Sequence, residues 1–432
     1  MSAEQHVHDL IGIGFGPSNL ALAIALKERH GDGVDAVFLE KQPAFGWHRG
    51  MLIEGTTMQV SFLKDLVTMR NPASEFSFLC YLREKGRLLD FINHKTMFPS
   101  RLEFHDYLEW AAARFADQVE YAAEVVAVTP VEADGAIEFL DVVARQGDGT
   151  LVTRRARTLV LAAGLEPVLP DGIVSDERVW HSEELLAKLP TLRDPRRFVV
   201  VGAGQSAAEV AGHLHGAFPA AEVCAVFAKY GYTPADDSSF ANRIFDSEAV
   251  DHFYTAPDEV KERLRAYHAS TNYSVVDLEL IDELYRRHYQ EKVQGKERLR
   301  IFNASRLAGV ENDSGGLRVT VEFLPTGERT PLEADVLVYA TGYRPTDPLT
   351  LLGETGGLCE RLPGGGVRLG RDYRIATSPE LRCGIYVQGA SEHTHGLTST
   401  LLSNTAVRVG EIAASLTDHL RTPAYPRVRS LV

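Results

Sequence analysis

The chain has 432 residues, 44% of them hydrophobic, which is enough for two or three domains with ample core. Forty-five Lys and Arg against fifty-nine Asp and Glu leave a formal charge of −14 at pH 7, which argues against nucleic acid or an anionic membrane as partner. No apolar run approaches a membrane span, residues 1–6 have neither the basic nor the apolar stretch of a secretory leader, and Cys80, Cys224, Cys359 and Cys383 lack CxxC or metal-ligand spacing, so a soluble, cytoplasmic protein is expected.

The first predicted element is a buried strand over 8–13, running into the turn Gly12-Ile13-Gly14-Phe15-Gly16-Pro17 and then into helical periodicity over 20–26. Glycine there permits a tight turn and close backbone approach to a pyrophosphate, while the helix N-terminus offers unpaired N–H groups to its charge. The next strand, 36–39, ends in Glu40, where a carboxylate accepts hydrogen bonds from an adenosine ribose, a pattern that suits FAD. Over 101–115, Phe104, Tyr107, Leu108, Ala111 and Phe115 share one helical face, and Ser100 with Glu103 reads as a capping box; these aromatics are core. A strand over 158–162 meets Ala163-Gly164 and a proline-rich crossing at 166–170.

Asp194-Pro195-Arg196-Arg197 reads as a hinge, after which the pattern repeats: a strand over 198–201, the turn Gly202-Ala203-Gly204-Gln205-Ser206-Ala207, and a helix over 207–214. The following strand ends in Lys229, a cation that suits the 2′-phosphate of NADPH, the plain alternative being a solvated strand end. Residues 232–294 turn helical and polar, notably over 259–268 and 278–293, as an insertion able to form part of a substrate site. A strand over 335–342 is the counterpart of 158–162, so the halves read as an internal duplication; 353–370 is a glycine-rich loop or short hairpin, and a strand over 385–389 leads to a helix at about 399–416.

The expected fold class is α/β, with two Rossmann-like dinucleotide-binding domains, for FAD and NADPH, and a small, mostly helical substrate-binding insertion. The expected boundaries are 1–193 and 345–432 for the FAD domain, 194–235 and 298–344 for the NADPH domain, and 236–297 for the insertion.

Four strings are more specific: Gly14-Phe15-Gly16-Pro17-Ser18-Asn19-Leu20, Met58-Gln59-Val60-Ser61-Phe62-Leu63-Lys64-Asp65-Leu66, Thr271-Asn272-Tyr273-Ser274-Val275-Val276-Asp277, and His393-Thr394-His395-Gly396-Leu397. Together, over about 8–412, they resemble the microbial L-ornithine N5-monooxygenases of siderophore and natural-product biosynthesis; related L-lysine N6-hydroxylases share the plan. The resemblance implies that NADPH reduces FAD, that dioxygen adds at flavin C4a, and that the substrate amine attacks the hydroperoxide so formed, giving N5-hydroxyornithine. No catalytic side chain is implied, because the cofactor carries the chemistry. A free amine titrates near ~10.4, so the site must favour its neutral form before nitrogen attacks.

Carried over residue by residue, the resemblance puts the FAD pyrophosphate on Gly12, Gly14, Gly16, Pro17 and Asn19, with Glu40 and Lys41 near the adenosine and the Val125 backbone at the adenine. Trp47, His48 and Gln59 are implied along the flavin, with Thr400, Leu401 and Leu402 against it; as bare residues the first three read as a core tryptophan, a core histidine and a surface amide. Lys64 is implied at the substrate α-carboxylate, joined by Asn242, Asn272 and Ser403, the asparagines otherwise reading as turn or cap residues. For NADPH the implied residues are Gly204, Gln205, Ser206 and Ala207 at the phosphates, Lys229 at the 2′-phosphate, and Asn272, Tyr273 and Ser274 near the nicotinamide; members of the family often carry arginine at the Lys229 position.

The expected partners are L-ornithine and dioxygen, with no nucleic acid, no membrane and no metal, His393 and His395 lacking a third ligand. A homo-oligomer, dimer or tetramer, is the expected assembly. The alternatives are a lysine or diamine N-hydroxylase, a ketone or sulfide oxygenase, and a non-catalytic flavin-binding sensor. A flavin disulfide reductase needs a cysteine pair early in the chain, where only Cys80 stands.

Overall fold

The computed structural model describes residues 5–133 and 135–421; residues 1–4, where no leader is expected, lie outside it, as do 134 and 422–432. Two five-stranded sheets carry the fold and are built alike. In the first the strand order is Gly384–Val387, Thr158–Leu161, Leu10–Ile13, Ala36–Glu40, Val119–Tyr121. In the second it is Val179–His181, Val336–Tyr339, Arg197–Val201, Glu222–Val226, Leu299–Phe302.

All these pairings are parallel, and the central strands are buried apolar runs, as sheets covered on both faces require. Each glycine turn leaves the middle strand of its sheet, where the chain departs to one side while a later strand fills the other. That switch point is where open α/β sheets bind nucleotides. The duplication extends to the returns: antiparallel strands over Ala123–Ala133, Ala136–Gln146 and Leu151–Ala156 precede Thr158–Leu161, and Ser305–Asp313, Gly316–Phe323 and Glu328–Ala334 precede Val336–Tyr339. A short antiparallel pair, Leu165–Pro167 with Tyr343–Pro345, straps the two units together.

The helix Pro17–His30 shows why the first unit is rigid. Pro17 occupies its first turn, where a missing N–H costs nothing, and every residue from Asn19 to Leu26 is buried. It packs in one core with Thr405–Arg421 and with Arg101–Ala112, whose Phe104, Tyr107 and Leu108 are wholly inaccessible. That last helix carries half of the expected capping box. Ser100 Oγ accepts from the Glu103 N–H at 3.1 Å, but the Glu103 carboxylate turns to Arg87 at 3.3 Å instead of returning to the cap.

The insertion holds helices Ser247–Thr255, Asp258–His268 and Leu278–Gln294, the first of which the sequence pattern did not separate. The C-terminal helix starts later than expected. Leu401 takes an extended conformation, φ −85° and ψ 154°, between the 3-10 turns Leu397–Thr400 and Leu402–Asn404, so the α-helix runs only over Thr405–Arg421. The glycine-rich stretch after 353 forms a 3-10 turn, Gly353–Leu358, and a small ribbon bridged at Arg361 and Val367.

Candidate active site

The first glycine turn is a cradle that admits no side chain at Gly12 or Gly14. Gly14 has φ +84°, and a Cβ there would stand 2.4 Å from the Ala162 carbonyl oxygen; a Cβ on Gly12 would strike the Phe38 ring at 2.2 Å. Gly16, the N-cap of Pro17–His30, has no side chain capping the helix and open space where a Cβ would project. An anion is thus offered helix N–H groups over bare backbone. Asn19 braces this turn from beneath: fully buried, its amide donates to the Gly14 carbonyl at 2.7 Å. Glu40 ties the turn to the next strand, accepting from the Phe15 N–H at 2.7 Å and the Gln42 N–H at 2.8 Å. Each carboxylate oxygen keeps a lone pair for a ribose hydroxyl.

Lys41 is exposed and makes no hydrogen bond among the described residues. Val125 pairs with Ala144 immediately before a bulge that interrupts the ladder, which leaves backbone groups beside it unpaired. Trp47 and His48 meet edge to face at 4.7 Å. His48 adopts a left-handed backbone and faces the Tyr343 ring at 6.0 Å. Although the cleft leaves its ring open to solvent, close surroundings and then the Arg101 charge pull its pKa down to about 4, so the imidazole is neutral.

The second turn repeats the cradle. Gly202 has φ +144° with the Ala340 carbonyl 2.4 Å from a would-be Cβ, and Gly204 caps Gln205–Ala217 without a side-chain bond. Ser206 makes no side-chain hydrogen bond among the described residues, and Ala207 is buried against Gly202. Facing the turn is the segment 272–277. Ser274, in the left-handed region at φ +55°, lies against Gly204, and its carbonyl accepts from Lys229 Nζ at 2.7 Å. Lys229 also donates to Thr233 Oγ1 at 3.1 Å and has no carboxylate partner among the described residues.

Lys64 stands out. Its ammonium lies 5.6 Å from the centre of the Phe245 ring and has neither a hydrogen bond nor an ion pair among the described residues. The turn that carries it is fixed by buried Asp65, which accepts from the backbone of Val67, Thr68 and Phe78 at 2.7–2.9 Å. Phe245 ends the 3-10 helix Ala241–Phe245, which also bears Asn242. Asn242 donates to the Asp237 carbonyl at 2.7 Å, keeping its amide oxygen and second N–H. The Ile244 carbonyl in that helix accepts from Thr398, bringing the insertion to the segment that leads to Ser403. Ser403 Oγ is buried with no hydrogen-bond partner among the described residues, an orphaned polar group. Thr400 donates to the Leu397 carbonyl at 3.1 Å, and Leu401 and Leu402 are half-buried. Asn272 is exposed with a free amide, while Tyr273 donates to Glu392 at 2.5 Å, closing the insertion onto the last segment. Tyr273 also borders a cavity of about 310 Å³ lined by Phe240, Ile244, Phe253, Leu264 and Leu397.

Three contacts were not singled out from sequence. Asp277 joins the two units, accepting from Gln59 Nε2 at 3.1 Å and Gln205 Nε2 at 2.9 Å while its N–H donates to Gln205 Oε1 at 2.8 Å. Buried Glu209 takes a two-pronged bond from Arg101 at 2.6 and 2.7 Å, and Gln205 donates to it at 2.8 Å. Arg408 underlies the first turn. Asp277 closes a quoted string, but the other two pairings span more than a hundred residues and leave no local signal. His393 and His395 bond to separate carbonyls, those of Val367 at 2.7 Å and Arg371 at 3.1 Å. At the surface, His6 and His8 meet Asp35 at 2.7 and 3.1 Å.

Among the described residues, two glycine cradles, Lys64 and Lys229 without carboxylate partners, and a buried orphan hydroxyl have the chemistry to hold FAD, NADPH and an amino-acid carboxylate. The model of the L-lysine 6-monooxygenase/L-ornithine 5-monooxygenase family matches residues 6–345. An L-ornithine N(5)-monooxygenase of Pseudomonas aeruginosa is 40% identical over 97% of this chain and 96% of its own, and one of Burkholderia cepacia is 42% identical over 91% and 90%. A solved structure of an ornithine N-hydroxylase from Kutzneria sp. 744, with reduced FAD, NADP+ and L-ornithine, superposes with a TM-score of 0.92 at 46% identity, covering 96% of this chain and 99% of that one.

Proposed function

The chain belongs to the L-lysine 6-monooxygenase/L-ornithine 5-monooxygenase family, and from that premise we propose that it grips L-ornithine by its amino-acid end and presents the uncharged side-chain amine to FAD. Its activity is FAD- and NADPH-dependent N-hydroxylation: ornithine, dioxygen, NADPH and a proton give N5-hydroxyornithine, water and NADP+, for siderophore or related natural-product biosynthesis.

The observation that carries the grip is Lys64, a cation over an aromatic ring with no carboxylate partner among the described residues. An α-carboxylate supplies the missing partner. Asn242 and Asn272 accept from the α-ammonium and donate to the carboxylate without adding charge, and Ser403 Oγ finds its acceptor in the same head group. Bound FAD, reduced by NADPH, supplies the activated oxygen. The chain's own task is to position the amine and exclude water. Half-buried Trp47, Leu401 and Leu402 disfavour an ammonium beside them, so the amine sheds its proton to solvent on entering. Neutral His48 adds no competing charge. For FAD the reading assigns Gly12, Gly14, Gly16 and Pro17 to the pyrophosphate, Asn19 to bracing them, Glu40 and Lys41 to the adenosine, Val125 to the adenine and Gln59 to the flavin. For NADPH it assigns Gly204, Gln205, Ser206 and Ala207 to the phosphates, Lys229 to the 2′-phosphate, and Tyr273 and Ser274 to the nicotinamide.

The paired sheets support dividing the chain at 194, 236, 298 and 345, with the strand Val179–His181 reaching from the first unit into the second sheet. Exposed Leu278, Tyr285, Tyr289 and Val293 along one helix support a homo-oligomer. Four unpaired cysteines support a cytoplasmic setting, and among the described residues no helix is long and apolar enough to cross a membrane. The reaction is tested by supplying isotopically labelled dioxygen with NADPH, FAD and ornithine: labelled N5-hydroxyornithine is expected, and peroxide without labelled amino acid would refute it.

A further inference from the structure

Arg408, in the first turn of Thr405–Arg421, is 1% exposed and makes no salt bridge among the described residues. Glu411, on the same helix, favours its charge from beyond salt-bridge distance but is itself paired with Arg371 at 2.8 Å. The guanidinium is instead held by neutral oxygens: it donates to Gln388 Oε1 at 3.3 Å, Ser18 Oγ at 3.1 Å, Thr405 Oγ1 at 3.2 Å and the Ser399 carbonyl. Burying a cation among neutral acceptors costs several kcal/mol unless a counter-charge offsets it. The side chain that the fork reaches furthest along the chain is Ser18, on the open first turn of Pro17–His30, beside the glycine cradle.

Ser18 Oγ accepts from Arg408, and its own proton has no acceptor among the described residues. Accepting from one side directs that O–H to the other. Gln388, held by the same fork, donates to Asn19 Oδ1 at 2.9 Å and to the Ser18 carbonyl at 3.3 Å, and Asn19 holds Gly14. The remaining bonds go to Ser399 and Thr405, either side of Ser403.

We propose that Arg408 is a positioning residue for the FAD diphosphate: it supplies the counter-charge behind the glycine turn, aims the Ser18 hydroxyl at the anion, and fixes that turn to the segment carrying Ser403. The proposal rests on FAD binding at this turn. The test is the FAD dissociation constant of the full chain, read by flavin fluorescence, with the thermal midpoint measured with and without FAD. Arg408→Met raises the constant about tenfold and shrinks the FAD-induced rise in midpoint, while Arg408→Lys falls between. Ser18→Ala raises it by roughly threefold alone and adds nothing in the Arg408→Met background. Thr405→Asp, which gives the guanidinium a carboxylate within a helix N-terminus that tolerates one, folds and also weakens FAD. A folded Arg408→Met variant within about twofold of the parent, or full multiplication of the Ser18 and Arg408 effects, overturns the proposal. Should Arg408→Met not fold, unchanged FAD affinity in Thr405→Asp overturns it. Failure of the parent chain to bind FAD would instead strike the functional reading beneath it.

Discussion

Lys64 and Lys229 are alike in one respect: among the described residues neither has a carboxylate partner, in a chain whose net charge is −14. On the proposed function, each would meet an anion that arrives from outside. Lys64→Ala is therefore expected to raise the ornithine KM by on the order of a hundredfold, while FAD content and the NADPH affinity stay close to the parent's, because the lost charge-assisted bond, about 3 kcal/mol, serves substrate only. Unchanged KM removes Lys64 from the site. Lys229→Ala is expected to weaken NADPH more than NADH by roughly 1–3 kcal/mol, measured as the ratio of their KM values. Equal loss for both nucleotides contradicts the 2′-phosphate role. The Lys229 ammonium rests on the Ser274 carbonyl and Thr233 Oγ1, so on the proposed function its third N–H would meet the phosphate from a position these two contacts hold.

Between elements, buried polar contacts hold the first glycine unit to the second. The Arg101–Glu209 pair joins helix Arg101–Ala112 to the helix of the second turn, with the two side chains 15% and 3% exposed. Glu209→Ala leaves a nearly buried guanidinium unmatched and is expected to cost about 3–5 kcal/mol in urea unfolding. A loss under ~1 kcal/mol would show the pair to be a surface-like contact. The glycine turns were legible because their chemistry is local: Gly14 and Gly202 need positive φ, and neighbouring carbonyls forbid a Cβ. The start of the last helix was not, since the extended Leu401 is set by contacts of 398–405 with Arg408 and the insertion. The Glu103 half of the capping box failed for a like reason, a tertiary arginine outbidding the cap.

At the scale of the molecule, two histidines shielded from solvent, His395 and His419, have their pKa values lowered to about 4, desolvation being the first cause in each. Each is neutral in the folded chain and takes a proton more readily once unfolded. Their contribution is whole above pH ~6.5, the unfolded value, and is lost as pH falls toward about 4. His395 is wholly inaccessible and stacks on Tyr373 at 4.2 Å, so it alone accounts for on the order of 2 kcal/mol of that loss. His395→Gln is expected to flatten the fall in urea midpoint between pH 6.5 and 4.5; an unaltered slope assigns the acid sensitivity elsewhere.

The duplicated sheets each carry a glycine turn, and on the proposed function the insertion would close one amino-acid head against the nucleotides held there. Hydroxylamine formation from L-ornithine, L-lysine and putrescine, presented in parallel to FAD-loaded protein with NADPH in air, probes that arrangement directly. Ornithine is expected to be oxidised with kcat/KM at least about tenfold above either competitor, since putrescine lacks the group that Lys64 grips and lysine carries its amine one carbon too far. Putrescine oxidised as efficiently as ornithine would contradict the account.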